Sequence, residues 1–323
     1  MTSFVDTQSR SRQSRENILH GVVLVLALAI LGGLAAYLST GVAGAMSVAA
    51  LAIAIGIAAP AAPADLTMRL YRAIPVPRDD SQLSTIVDVF SERAGLPRRP
   101  DLFVVPSLTL NAFSAGTSDR PAIALSEGML RRLTMREIAA LVAHEIAHIR
   151  AGDLPVLAIA DGVTRAFQVL AYVGVLFALL NLVALASGGD PWPWSAVVLF
   201  YLGPMLSNLL QLALDRMREH HADLDAVELT GDPMGLASAV KRAETYRGHL
   251  WEDLMLPVPG RRSPQPSMLR THPPQEARVS RLLALGRQAY REPVIISEKP
   301  MVSLVGLGPI ELRPRYRFPG LWY

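Results

Sequence analysis

The sequence predicts an α+β membrane protein in which four transmembrane helices carry a mainly helical domain with a small β-sheet. Three observations support that expectation. The 323 residues are 51% hydrophobic and only 18% charged, with a mean hydropathy of +0.30, high for a water-soluble chain. Apolar runs of about 20 residues, enough to cross a bilayer, come in two pairs. Between the pairs lie three short β-type stretches, followed by a helix with an apolar stripe.

The first pair occupies residues 17–64, which contain no Asp, Glu, Lys or Arg. Ser39-Thr40-Gly41 divides them into spans at about 18–38 and 42–62. The first run is too long for the apolar stretch of a signal peptide, and a second follows at once. The second pair is about 166–186 and 194–214, with Pro204 predicting a kink in the fourth span. Arg10, Arg12 and Arg15 precede span one, and Arg69, Arg72 and Arg78 follow span two. Arg165 precedes span three, Arg216 and Arg218 follow span four, and the hairpin tips carry only Asp190. The positive-inside rule therefore predicts a multi-pass protein of the cell (inner) membrane, with both tips outside and the N-terminus and polar domain cytoplasmic. Trp192 and Trp194 read as interfacial anchors or as turn residues. The organisation is an N-terminal segment and hairpin at 1–64, the first part of the domain at 65–165 and a second hairpin at 166–214. The second part of the domain follows at 215–283, and a tail at 284–323.

Residues 101–106, 110–115 and 122–125 read as strands, and residues 302–323 as one or two more. Thr134 with Glu137 forms a capping box. The helix after it carries Ile138, Leu141, Val142 and Ile146 as an apolar stripe and runs without Pro or Gly to Gly152. On this helix lies His144-Glu145-Ile146-Ala147-His148. Residues four apart share a helix face, so both imidazoles can point at one metal ion, and Glu145 can reach a water activated there. A catalytic zinc takes three protein ligands. With no cysteine in the chain, thiolate sites and disulfides are excluded, and the third ligand must be His, Asp or Glu. The best candidate is Glu219, with Asp223 one turn on to accept the other N–H of a ligating histidine; His220 and His221 are alternatives. The span ends near Leu214, so Glu219 lies within about 10 Å of the membrane surface at about 1.5 Å per helical residue. The formal charge of +3 does not argue for nucleic acid. Residues 254–270, rich in Pro, Gly, Ser and Arg, read as a loop.

His144-Glu145-x-x-His148 with Glu219-x-x-x-Asp223 resembles the gluzincin pattern, and its surroundings resemble the HtpX-type membrane metallopeptidases, relatives of the CAAX-prenyl endopeptidases. Asn111-Ala112-Phe113-Ser114-Ala115-Gly116, the stretch from His144 to Asp153, and Thr271-His272-Pro273-Pro274 followed by Arg278 carry the likeness further. The resemblance implies a zincin-like catalytic domain binding one Zn²⁺ through His144, His148 and Glu219. It also implies Glu145 as general base and an edge strand at Asn111, Ala112 and Phe113 that pairs with an extended substrate. For His272 it implies a role in stabilising an oxyanion or moving a proton; a turn histidine capping the helix near Glu276 is the plain alternative. Arg278 would pair with a carboxylate or support the site. The implied work is quality control, cutting unfolded, misfolded or damaged membrane proteins in the bilayer, as in a stress response. The rival readings are a non-cleaving zinc scaffold, disfavoured by the intact Glu145, a transporter-like membrane protein, disfavoured by few intramembrane charges, and a prenyl-protein endopeptidase.

Overall fold

A computed structural model of the chain describes residues 7–78, 81–108, 110–117, 119–245, 275–285, 316–317 and 321–322. The apolar segments form two helical hairpins. In the first, α1 (Thr7–Ala27) passes through one π-helical stretch, Leu28–Gly32, into α2 (Gly33–Thr40), and α3 (Val42–Ala58) returns. Gly41, at φ 73°, makes the reversal where the sequence break predicts it. The second hairpin is α8 (Leu154–Ser187) and α9 (Trp194–Thr230). Its tip is fixed by Asn181, whose side chain accepts from the Trp192 N–H (2.8 Å) and donates to the Trp192 carbonyl (3.0 Å). The Trp192 ring packs on Phe177 at 4.4 Å, so this tryptophan is a built part of the turn.

Among the described residues, three helices are long and apolar enough to cross a membrane: Ile18–Thr40, Val42–Ala61 and Leu154–Ser187. Residues 194–214, which carry no Asp, Glu, Lys or Arg, open the 37-residue α9. Gln211 is buried and bonds Thr164 (2.5 Å) and Ser207 (3.2 Å), tying α9 to α8 through a polar cluster.

Between the hairpins the chain forms α4 (Ala64–Leu70), β1 (Ile74–Pro75), α5 (Gln82–Arg93), β2 (Asp101–Val105), β3 (Ala112–Thr117), β4 (Arg120–Ser126), α6 (Glu127–Arg132) and α7 (Met135–Ala151). After α9 come α10 (Pro233–Thr245) and α11 (Gln275–Leu285), and the tail adds a short pair, β5 (Tyr316–Arg317) with β6 (Leu321–Trp322). The four-stranded sheet has the order β1-β2-β4-β3, with β2 and β4 parallel and the other pairs antiparallel. β3 is therefore an edge strand. The three strands expected between the hairpins are present; β1, of two residues, is too short to leave a pattern.

The main core joins one sheet face to α5, α7, α10 and α11 through Phe90, Ile123, Leu125, Ile138, Ile146, Leu236 and Leu282. The other face packs on α4 through Met68, Tyr71, Val105, Phe113 and Ala124. Gly116 of β3, at φ 101°, passes so close to α4 that a Cβ there would lie 2.9 Å from that of Ala64 and 2.4 Å from the Arg120 carbonyl oxygen. α4 ends in a Schellman turn: the Ala73 N–H reaches the Met68 carbonyl (2.8 Å) and the Arg72 N–H the Arg69 carbonyl (3.1 Å). The left-handed position of that turn is Arg72 (φ 50°), the only non-glycine residue with positive φ among the described residues, at a cost of about 1 kcal/mol against glycine.

Candidate metal centre

Helix α7 presents the motif. Thr134 caps it, its hydroxyl accepting from the Glu137 N–H (3.3 Å) while Glu137 accepts from the Thr134 N–H (2.8 Å). Gly152, left-handed at φ 75°, ends it, and the Asp153 N–H reaches back to the His148 carbonyl at 3.0 Å. His144, Glu145 and His148 are all buried, at 0%, 2% and 3% exposure. Helix α9 delivers Glu219 to the same point. The ligand atoms of His144, His148 and Glu219 lie within 4.8 Å of one another. The separations are 3.1 Å between the two Nε2 atoms, 3.5 Å from His144 Nε2 to Glu219 Oε2 and 3.6 Å from His148 Nε2 to Glu219 Oε1. His220 and His221 are not part of this group.

Each imidazole is backed by its own carboxylate. His144 Nδ1 is 3.0 Å from Asp223 Oδ1, and His148 Nδ1 is 2.8 Å from Asp153 Oδ2. A carboxylate behind Nδ1 favours the proton there, which leaves the Nε2 lone pair free. Two Nε2 lone pairs and a carboxylate then converge on one buried point, an arrangement that repels itself until a cation enters. Donors about 2.0–2.1 Å from a tetrahedral zinc lie about 3.3 Å apart, close to the separations here, so the residues fit the ion.

Electrostatics favour the same occupant. Burial lowers His144, but Asp223 and Glu219 outweigh it and its basicity is raised. Burial also opposes protonation of His148, while Asp153 and Glu219 take it well above the ordinary range. Both rings are therefore strong donors. Burial alone would raise Asp223, yet the Arg278 guanidinium holds it below the usual carboxylate range. Arg278, itself buried on α11, donates from Nε (2.8 Å) and Nη2 (2.6 Å) to the two Asp223 oxygens, and its Nη1 lies 3.4 Å from Glu219 Oε2. Burial raises Glu145, with His148, His144 and the Ser114 hydroxyl pulling the other way to a smaller extent. Glu145 Oε1 is buried with no hydrogen-bond partner among the described residues. A raised carboxylate with one oxygen unpaired, beside the donors, is poised to exchange a proton.

Edge strand β3 lies beside α7. Phe113 packs on Tyr71 with ring centroids 5.0 Å apart, and Asn111, Ala112 and Phe113 are all buried. What this stretch can offer a ligand is backbone. Ala112 packs in the α7-side core, and by strand alternation Ser114 faces the same way, towards Glu145. Residues 271–274, including His272, and the loop at 254–270 lie outside the described residues.

Asp153 and Ser114 carry no expected role from the sequence. Asp153 had a signal: a helix-ending Gly-Asp one turn past His148, together with the rule that each metal-bound imidazole has an acceptor behind it. Ser114 had none, because only the fold brings β3 to α7.

Residues 77–285 match the family model described as peptidase family M48. A "Protease HtpX homolog" of Acaryochloris marina is 34% identical over 239 residues, covering 71% of this chain and 81% of that protein. One of Sulfurovum sp. is 32% identical, covering 67% and 80%. Among solved structures, the crystal structure of S. mikatae Ste24p aligns with a TM-score of 0.44 at 19% identity, over 72% of this chain and 57% of that one.

Proposed function

The chain belongs to peptidase family M48 and is a membrane-associated zinc metallopeptidase; we propose that it is an endopeptidase cutting misfolded or damaged membrane proteins close to the cytoplasmic membrane surface. The observation that carries this reading is Glu219. The third donor of the cluster sits on the helix that continues from residues 194–214, which we read as a fourth span. Chain segments 65–165 and 215–283 then form one cytoplasmic catalytic domain, interrupted by the second hairpin, as the distribution of arginines favours.

In this reading His144, His148 and Glu219 hold the zinc. Bound zinc would supply Lewis acidity, polarising the scissile carbonyl and making water a better nucleophile. Asp223 and Asp153 fix the ring orientations, and Arg278, between Asp223 and Glu219, offsets part of the charge of the four carboxylates that share the buried site. Glu145 takes the proton from the attacking water and passes it to the leaving amine. The backbone of β3 pairs with the substrate in extended form, a mode indifferent to side-chain sequence and so suited to unfolded chains. His272 would meet the developing negative charge, a role resting on the resemblance of its segment.

The test compares full-length wild type with Glu145→Gln, both purified without chelator. Near-stoichiometric zinc in both, with casein cleaved by wild type alone, is expected. Zinc without cleavage in either would sink the peptidase mechanism, and no zinc in either would sink the metal centre.

A further inference from the structure

We propose that β3 is a path of fixed length from the bilayer to the metal centre, so that in a membrane protein the bonds cut lie within about five residues of the end of a transmembrane span. The proposal rests on the peptidase reading and on the spans given above.

The register of β3 shows which part of the strand can receive a chain. The Ser126 N–H reaches the Asn111 carbonyl at 2.8 Å, so these two residues face each other as a bonded pair. Alternation then turns the N–H and C=O of Phe113 and Ala115 towards Ala124 and Ala122 of β4, and those of Ala112 and Ser114 towards the outer edge of the sheet. Pro121, which has no N–H to give, stands opposite Gly116, where alternation requires none. Ser114 marks the metal end of the path, because its side chain faces Glu145, next to the donor His144.

Two residues on, the strand arrives at the bilayer. A Cβ on Gly116 would lie 2.9 Å from that of Ala64, the first residue of α4. Only Ala62 and Pro63 separate α4 from the second span, and β3 also neighbours Ala59–Ala61, the last turn of that span. Helix α8 marks the same level. A Cβ on Gly162 would lie 3.8 Å from that of Ala59. Arg165, just before the third apolar run, pairs with Asp161 and donates to the hydroxyl of Tyr71 at the end of α4 (3.2 Å). Charges at these positions place the edge of the hydrocarbon beside them.

Two independent routes give the depth of the metal centre below this level. Along β3, Ser114 to Gly116 is about 7 Å of strand. Along α9, Leu214 to Glu219 is about 7.5 Å of helix. An extended chain covers that distance in about two or three residues. A substrate leaving the bilayer here pairs with Ser114 and then Ala112 as soon as it unwinds, and the first bonds beyond its span are the ones brought to the metal. A bond farther out reaches the donors only if the intervening chain loops away, which costs closure entropy.

The experiment reconstitutes the full chain in vesicles of phosphatidylethanolamine and phosphatidylglycerol with a single-span reporter. The reporter's span is followed by a flexible tail of about 40 residues that repeats one short unit, so that equivalent bonds differ only in their distance from the bilayer. Cut positions are mapped by mass spectrometry, with Glu145→Gln protein as background and casein as a soluble substrate. Cuts are expected within about five residues of the span, severalfold faster than at equivalent bonds more than about ten residues out. Cuts spread evenly along the tail, or casein cleaved while the reporter stays whole, would overturn the proposal and leave the peptidase reading standing. No cleavage of either substrate by zinc-loaded wild type would sink the peptidase reading and the proposal with it.

Discussion

Each imidazole at the metal centre depends on a residue that makes no contact with a ligand atom's open side. His148 is held by Asp153, 1% exposed, which the left-handed Gly152 swings back beneath the ring. Asp153→Ala leaves the ring free to turn and its Nδ1 without an acceptor. Zinc affinity should fall about 10–100-fold, with kcat falling at subsaturating zinc and recovering in part at high zinc. Competition with a fluorescent chelator measures the first effect; unchanged affinity would show that α7 alone orients the ring. At this scale the sequence was legible where chemistry has a fixed helical spacing, as in His144, Glu145, His148 and the Glu219–Asp223 pair. It was illegible where the partner comes from a distant element. Arg278 could be read only as one of two roles, because its carboxylates lie on another helix. Asn111, Ala112 and Phe113 could be assigned to an edge, but only the fold shows their side chains turned inward.

Among the elements, α10 is fastened to α7 at both ends of the capping motif. Asp232 accepts from the Gly235 N–H (3.0 Å), capping α10 ahead of Pro233, and receives Arg136 of α7 at 2.5 and 2.7 Å. Ser238 and Arg242 of α10 meet Glu137, at 2.6 and 3.1 Å. Burial alone would raise Asp232, but Arg136 and the cap N–H groups bring it below the ordinary carboxylate range. A depressed folded pKa means the stabilisation is complete above the unfolded value of about 4 and is lost as pH falls through the folded one. Asp232→Asn keeps a capping oxygen and loses the charge, at a cost held below about 1 kcal/mol by the half-exposed Arg136; Asp232→Ala loses the cap as well, by about 1 kcal/mol more. The melting gap between wild type and Asp232→Asn should therefore be present at pH 7 and narrow as pH falls below the unfolded value of about 4. A gap independent of pH would mean that the ion pair contributes nothing. Neither α10 nor its anchor was drawn from the sequence, where Asp232-Pro233 is a weak start signal without its tertiary partner.

For the whole molecule, hydropathy placed the reversal of the first hairpin where Gly41 makes it, but not the start of its first helix, which runs back to Thr7 through residues too polar for the apolar run. It set the start of the third span at residue 166, whereas α8 begins at Leu154. Helix ends are decided by local signals, here Gly152, Asp153 and Pro155, and Arg165 fits inside the helix because Asp161 one turn earlier pairs with it at 2.8 Å. The metal centre joins α7 to α9, so zinc should stabilise the assembly as a whole. At free zinc about 100 times Kd the gain is about 2.7 kcal/mol, or several degrees of melting midpoint for a chain this long. Chelation should remove that gain from wild type and from Glu145→Gln alike, and zinc should restore it. An unchanged midpoint would show that the donors are held by the fold without the ion.

Helix α7 with His144 and His148 precedes the second hairpin in the chain, and Glu219 follows it on α9. A ribosome therefore releases two donors long before the third, and the third arrives only once α8 and α9 have folded back on each other. During synthesis the nascent chain carries an incomplete cutting centre. Competence to hydrolyse therefore waits on the closing of α8 against α9, and Arg278, later still on α11, completes the charge balance of the site.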